Sequence, residues 1–116
     1  VQRDDDVDPD QLFTEDELFS SYQKILTLDY HQQIDLDGIK FTAYNAGHVL
    51  GAAMFVVEIA GIRVLYTGDY SREEDRHLMA AETPPHRPEV LVCESTYGVS
   101  NHMPRIEREK RFTSLV

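Results

Sequence analysis

The sequence predicts an α/β fold, with a mixed sheet that contains a hairpin and is flanked by helices. Three observations carry this prediction. Residues 53–59 and 62–67 are two strand-like apolar runs separated only by Ala60-Gly61, the form of a hairpin. Leu18, Tyr22, Ile25 and Leu26 recur at helical spacing across residues 15–28. A short apolar run, residues 89–93, follows a long connection, and if it runs parallel to 62–67 the sheet is mixed.

The elements follow in order. Residues 1–13 are acidic around Asp4–Asp10 and read as a solvated, flexible segment. Thr14-Glu15-Asp16-Glu17 has the form of a capping box, so a helix is predicted over 15–28. Residues 39–44 alternate and predict a strand. In the hairpin, a two-residue turn sets Glu58 opposite Arg63; because Ala60 is a poor residue for positive φ, a bulged turn with Gly61 left-handed is equally open. Thr83–Pro88 is a loop. Pro104 opens a last helix, with Ile106, Phe112 and Leu115 near one face.

Composition narrows the class. The 116 residues carry a net charge of −10, which argues against a broad basic surface for nucleic acid. Residues 1–20 hold eight acidic groups against Arg3 alone, a balance of −7 that leaves −3 for the other 96. The single cysteine, Cys93, excludes an internal disulfide and suits a reducing compartment. The longest apolar stretch, Val49–Val57, is about half of what a membrane span needs. A soluble, intracellular protein without membrane partners is expected. The first residue, Val1, and an ending inside a predicted helix suggest an internal piece of a longer chain.

Hairpin geometry then places polar groups. A strand of about seven residues extends ~23 Å and its partner returns as far, so the segment before the hairpin meets the segment after it. These segments are Gly47-His48-Val49-Leu50-Gly51 and Thr67-Gly68-Asp69-Tyr70-Ser71. His48 and Asp69 are therefore expected to be neighbours, and a parallel strand at 89–93 would bring Glu94 to the same edge. Imidazole and carboxylate are good zinc ligands. Plainer readings stay open here: Gly-Asp after a strand is often only a turn, a loop histidine is often only exposed, and Glu94 could cap the next segment.

The segments are more specific as words. Ala46-Gly47-His48-Val49-Leu50-Gly51-Ala52-Ala53, Tyr66-Thr67-Gly68-Asp69-Tyr70-Ser71, Asp75-Arg76-His77-Leu78 and Glu94-Ser95-Thr96-Tyr97-Gly98 occur in that order. Over roughly residues 34–112 this resembles the β-CASP branch of the metallo-β-lactamase superfamily, and within it the endonucleases that cut pre-mRNA before polyadenylation. The resemblance implies a partial αββα metallo-β-lactamase fold over 14–98 and the beginning of a β-CASP domain over 99–116. By the same resemblance His48 is a ligand of one zinc and Asp69 bridges two. Glu94 is a catalytic-site carboxylate that orients a histidine outside this chain. Two metals would stabilise the attacking and leaving oxygens of an in-line phosphodiester hydrolysis.

The resemblance further implies a pre-mRNA substrate, other subunits of a cleavage and polyadenylation complex as partners, and a nuclear location. His77 and Tyr97 are expected to be structural. The family's His-x-His-x-Asp-His cluster and its late histidine are missing from this sequence. Two ligands cannot complete either zinc site. The expectation is an internal fragment, inactive by itself, weak in metal affinity and poor in stability. An snRNA-processing endonuclease of the same branch and a non-catalytic scaffold paralogue are the alternatives.

Overall fold

Two short turns with positive φ at both central residues build the sheet. In the computed structural model, which describes residues 12–116, Asp37-Gly38 (φ 53° and 84°) join β1 (Gln33–Leu36) to β2 (Ile39–Asn45). Ala60-Gly61 (φ 51° and 79°) join β3 (Ala53–Ile59) to β4 (Ile62–Tyr66). This is the turn whose twist matches that of the flanking strands. The two-residue reading of the second hairpin therefore holds, and Glu58 lies opposite Arg63. Strand β1 lies outside the strands predicted from the sequence, although Asp-Gly between alternating residues is a hairpin signal of its own.

β5 (Val90–Val92) runs parallel to β4, and the strand order is β1-β2-β3-β4-β5. The sheet is mixed, as expected. Predicted strand ends move by one residue: β2 continues to Asn45, β4 stops at Tyr66, and β5 omits Glu89 and Cys93.

The strand register separates two faces. One carries Tyr44, Met54, Val56 and Leu65 and is covered by the β4–β5 connection, where Ala46, Met54 and Leu65 form a small core against Tyr70 and Ala81. The other face carries Phe41, Phe55, Val57, Val64 and Tyr66. It is apolar along β3 and β4 and open at its rim: Ile62 and Tyr66 are each 53% exposed.

Helix α1 (Glu15–Tyr22) begins with the predicted capping box, in which the Glu17 N–H donates to Thr14 Oγ1 and the Thr14 N–H donates to Glu17 Oε2. It ends six residues short of the predicted 28. Among the described residues neither helix packs on the sheet, and an amphipathic stretch with no sheet to pack on has little to extend it past Ser20-Ser21. Helix α2 (Arg105–Thr113) starts directly after Pro104, as predicted. It is tied to the β4–β5 connection by Arg105, which bonds the Glu74 carbonyl at 3.0 Å and pairs with Asp75 at 2.9 Å. Among the described residues, no helix is long and apolar enough to cross a membrane. The acidic stretch 1–11 lies outside the described residues.

Candidate metal centre

The β2–β3 loop must turn within seven residues, and it does so through Gly47 at φ 64° and His48 at φ 58°. Gly47 is required for space as well as for φ. A Cβ there would sit 2.8 Å from the Ser71 carbonyl oxygen and 3.0 Å from that of Met79. His48 holds a left-handed conformation that costs a non-glycine residue about 1–2 kcal/mol. Such strain persists only where the surroundings impose it, and it gathers at functional sites. The surroundings here are hydrogen bonds from backbone amides: Ala46 N–H to Ala52 O, Ser71 N–H to Ala46 O, and Gly47 N–H to the side-chain Oδ1 of Asn45.

Asp69 follows β4 on a second loop. The buried Thr67 begins it, and its N–H donates to the Val92 carbonyl, which anchors the loop to β5. The next anchor is Glu94, whose Oε1 accepts the Tyr70 N–H at 3.0 Å. Hydrogen bonds from the Thr96 hydroxyl and then from the Tyr70 N–H hold the Glu94 carboxyl below its ordinary range, with a smaller contribution from the charge of His48. Glu94 is therefore an ionised group fixed behind the Asp69 loop. Asp69 and Glu94 also line one hollow of about 400 Å³ with Tyr66, Gly68, Val92 and Cys93.

The predicted meeting of the two loops takes place. His48 Nε2 lies 3.7 Å from Asp69 Oδ2, with side chains 44% and 68% exposed. That separation is too long for a hydrogen bond, so neither donor atom is consumed by the other. Tetrahedral zinc with N and O ligands at about 2.0–2.2 Å sets those atoms ~3.3–3.5 Å apart. The pair is within a few tenths of an ångström of that spacing, and an imidazole with a carboxylate is a suitable donor set. It remains two donors. Among the described residues, no three His, Cys, Asp or Glu side chains form a group able to hold a metal.

Two features of this edge went unread in the sequence. One is the direct bond from Tyr70 to Glu94. The other is the segment behind both loops, where Glu82 Oε2 lies 2.9 Å from His31 Nε2 and accepts the Asn45 N–H at 2.9 Å. The Tyr70–Glu94 bond joins two of the four sequence motifs and the Glu82 bonds join none, but no local pattern announces either contact, because the partners are brought together across 24 to 51 residues. Tyr97, 64% exposed, packs edge-on against His102 with ring centroids 4.4 Å apart.

Comparison with known proteins adds to this geometry. The family model for the metallo-β-lactamase superfamily domain matches residues 3–93, a match that runs through the acidic leading segment. The chain is 60% identical over 109 residues to Endoribonuclease YSH1 of Yarrowia lipolytica, covering 94% of this chain and 13% of that protein. It is 62% identical over 109 residues to Cleavage and polyadenylation specificity factor subunit 3 of Dictyostelium discoideum, covering 94% and 14%. It is 62% identical over 105 residues to Cleavage and polyadenylation specificity factor 73 of Drosophila melanogaster, covering 90% and 15%. The chain thus spans about one seventh of the length of these relatives.

Proposed function

Because this chain belongs to the metallo-β-lactamase superfamily, we propose that it is a section of a zinc-dependent RNA endonuclease that cleaves pre-mRNA 3′ ends before polyadenylation. The observation that carries the proposal is the meeting of His48 and Asp69 at one sheet edge, in a chain 60% identical to an endoribonuclease. His48 would bind one zinc through Nε2, and Asp69, with an oxygen for each metal, would bridge two. When bound, such a pair supplies Lewis acidity at the attacking and leaving oxygens of a phosphodiester.

This chain's own residues do the positioning. The left-handed turn at Gly47-His48 presents the imidazole, the Thr67 and Tyr70 amides fix the Asp69 loop, and Glu94 carries negative charge beside them. In the assembled site Glu94 would orient a histidine from elsewhere in the protein. Residues 14–98 belong to the metallo-β-lactamase domain, residues 99–116 begin the β-CASP domain, and the remaining ligands come from other parts of the parent protein. RNA and the other subunits of a cleavage and polyadenylation complex are the partners, in the nucleus.

The deciding experiment uses the full-length parent. Wild-type protein should contain about two zincs, and Asp69→Ala should cut pre-mRNA cleavage by more than ~100-fold, since even outer groups are worth 10–100-fold. Unchanged cleavage in Asp69→Ala, or active wild-type protein free of zinc, would defeat the proposal.

A further inference from the structure

We propose that the Glu82 carboxylate, backed by His31, is a positioning group that sets the place of His48 relative to Asp69. This rests on the reading of those two residues as metal ligands and adds a part to their site.

Glu82 holds Asn45 from both sides. Its Oε2 accepts the Asn45 N–H at 2.9 Å, and its own N–H donates to the Asn45 carbonyl at 2.9 Å. Asn45 is the last residue of β2, and its Oδ1 accepts the Gly47 N–H at 2.8 Å, immediately before His48. A continuous path of bonds therefore runs from Glu82 through Asn45 and Gly47 to the left-handed turn that presents the imidazole.

The segment that delivers Glu82 also touches the other loop. The Ala81 N–H donates to Ser71 O at 2.7 Å, and the Ser71 N–H donates to Ala46 O at 2.9 Å. Gly47 is seated against Ser71 O, Met79 O and Ala81 N with no room for a Cβ. Met79–Glu82 is thus wedged behind both loops at once, two residues from Asp69 on one side and one from His48 on the other.

His31 fixes the carboxylate. Its Nε2 lies 2.9 Å from Glu82 Oε2, its N–H donates to Ala43 O, and its ring leans on Tyr44 at 5.5 Å. Desolvation raises the Glu82 pKa, but the bonds from His31 and from the Asn45 N–H outweigh it and keep the group in its accepting form. Glu89 makes a useful contrast. It too accepts a strand N–H, from Arg63 at 2.7 Å, but it lies away from both loops.

The test compares Glu82→Ala, Glu82→Gln and Glu89→Ala in the full-length parent. Zinc affinity is read by chelator competition, the visible spectrum of the cobalt-loaded protein reports ligand geometry, and amide exchange is followed over residues 45–48. Glu82→Ala should bind zinc about 10–100-fold more weakly, with an altered cobalt spectrum and faster exchange. Glu82→Gln, which keeps an oxygen for the Asn45 N–H, should recover most of all three. Glu89→Ala should lower the unfolding midpoint and leave affinity and spectrum unchanged. Wild-type affinity and spectrum in Glu82→Ala, equal losses in Glu89→Ala, or no recovery in Glu82→Gln would overturn the proposal. If wild-type parent binds no metal, the ligand reading fails separately. The exchange data then decide alone: faster exchange at 45–48 in Glu82→Ala, restored in Glu82→Gln, supports the positioning path, and unchanged exchange overturns it.

Discussion

Gly47 shows how far one residue can constrain a site. Its φ of 64° and the 2.8 Å approach of Ser71 O act together, whereas Gly38, at φ 84°, has nothing within 4 Å of a Cβ. Gly38→Ala should therefore lose only the conformational term, about 1–2 kcal/mol. Gly47→Ala adds a backbone clash, worth a further 1–3 kcal/mol or so, and the loop it displaces carries His48. Unfolding midpoints of the two variants in the parent protein should rank in that order, with zinc lost only in Gly47→Ala. A second residue prediction concerns Glu94, whose oxygen holds the Tyr70 N–H next to Asp69. Glu94→Ala should lower cleavage by about 10–100-fold with zinc retained, and Glu94→Gln, still an acceptor, should lower it less. Equal rates in all three proteins would remove Glu94 from the site.

At the level of elements, the two hairpin turns differ in how well their residues suit them. Ala60 occupies a left-handed position at φ 51° without the freedom of glycine. Ala60→Gly should therefore stabilise the β3–β4 hairpin by about 1 kcal/mol, read as a raised unfolding midpoint. Helix α2 depends on charge instead. Arg105 pairs with Asp75 and Glu109, and Arg76 pairs with Glu109 at 3.0 Å. The Arg76 N–H holds the Asp75 carboxyl below its ordinary 3.8, and bonds from Arg105 and Arg76 hold Glu109 below 4.5. Carboxylates depressed in the folded state stabilise above their ordinary pKa and lose that effect as pH falls through the folded value. Docking of α2 should thus be constant above about pH 5 and weaken below pH 4, and high salt should loosen it at neutral pH. Amide exchange across 105–113 measures both effects, and exchange independent of pH and salt would show that the ion pairs do not hold the helix.

For the whole molecule, what the sequence disclosed was what local chemistry decides. The Ala60-Gly61 hairpin, the Thr14–Glu17 capping box and the meeting of His48 with Asp69 all follow from short-range rules, and all are present. The length of α1 and the Glu82 bonds were not legible, because packing partners and backbone contacts across dozens of residues settle them. The same distinction explains the open sheet face. Its two central strands, β3 and β4, read as apolar runs, the pattern of a sheet covered on both sides, yet among the described residues the β4–β5 connection covers only one face. An exposed apolar surface of this kind marks an interaction site or an aggregation liability. The 116-residue chain alone should therefore bind a hydrophobic dye such as ANS and self-associate. The cross-strand pair Ile59 and Ile62 lies on the open face, each about half exposed, so Ile59→Glu with Ile62→Lys should reduce dye binding and association. Val56 lies on the covered face against the core, and Val56→Lys should unfold the chain instead. In the full-length parent the order changes: if another layer covers the open face, the Ile59→Glu, Ile62→Lys double variant should destabilise it by several kcal/mol. Equal tolerance of that double variant in the parent and in the short chain would show that the face is bare in both.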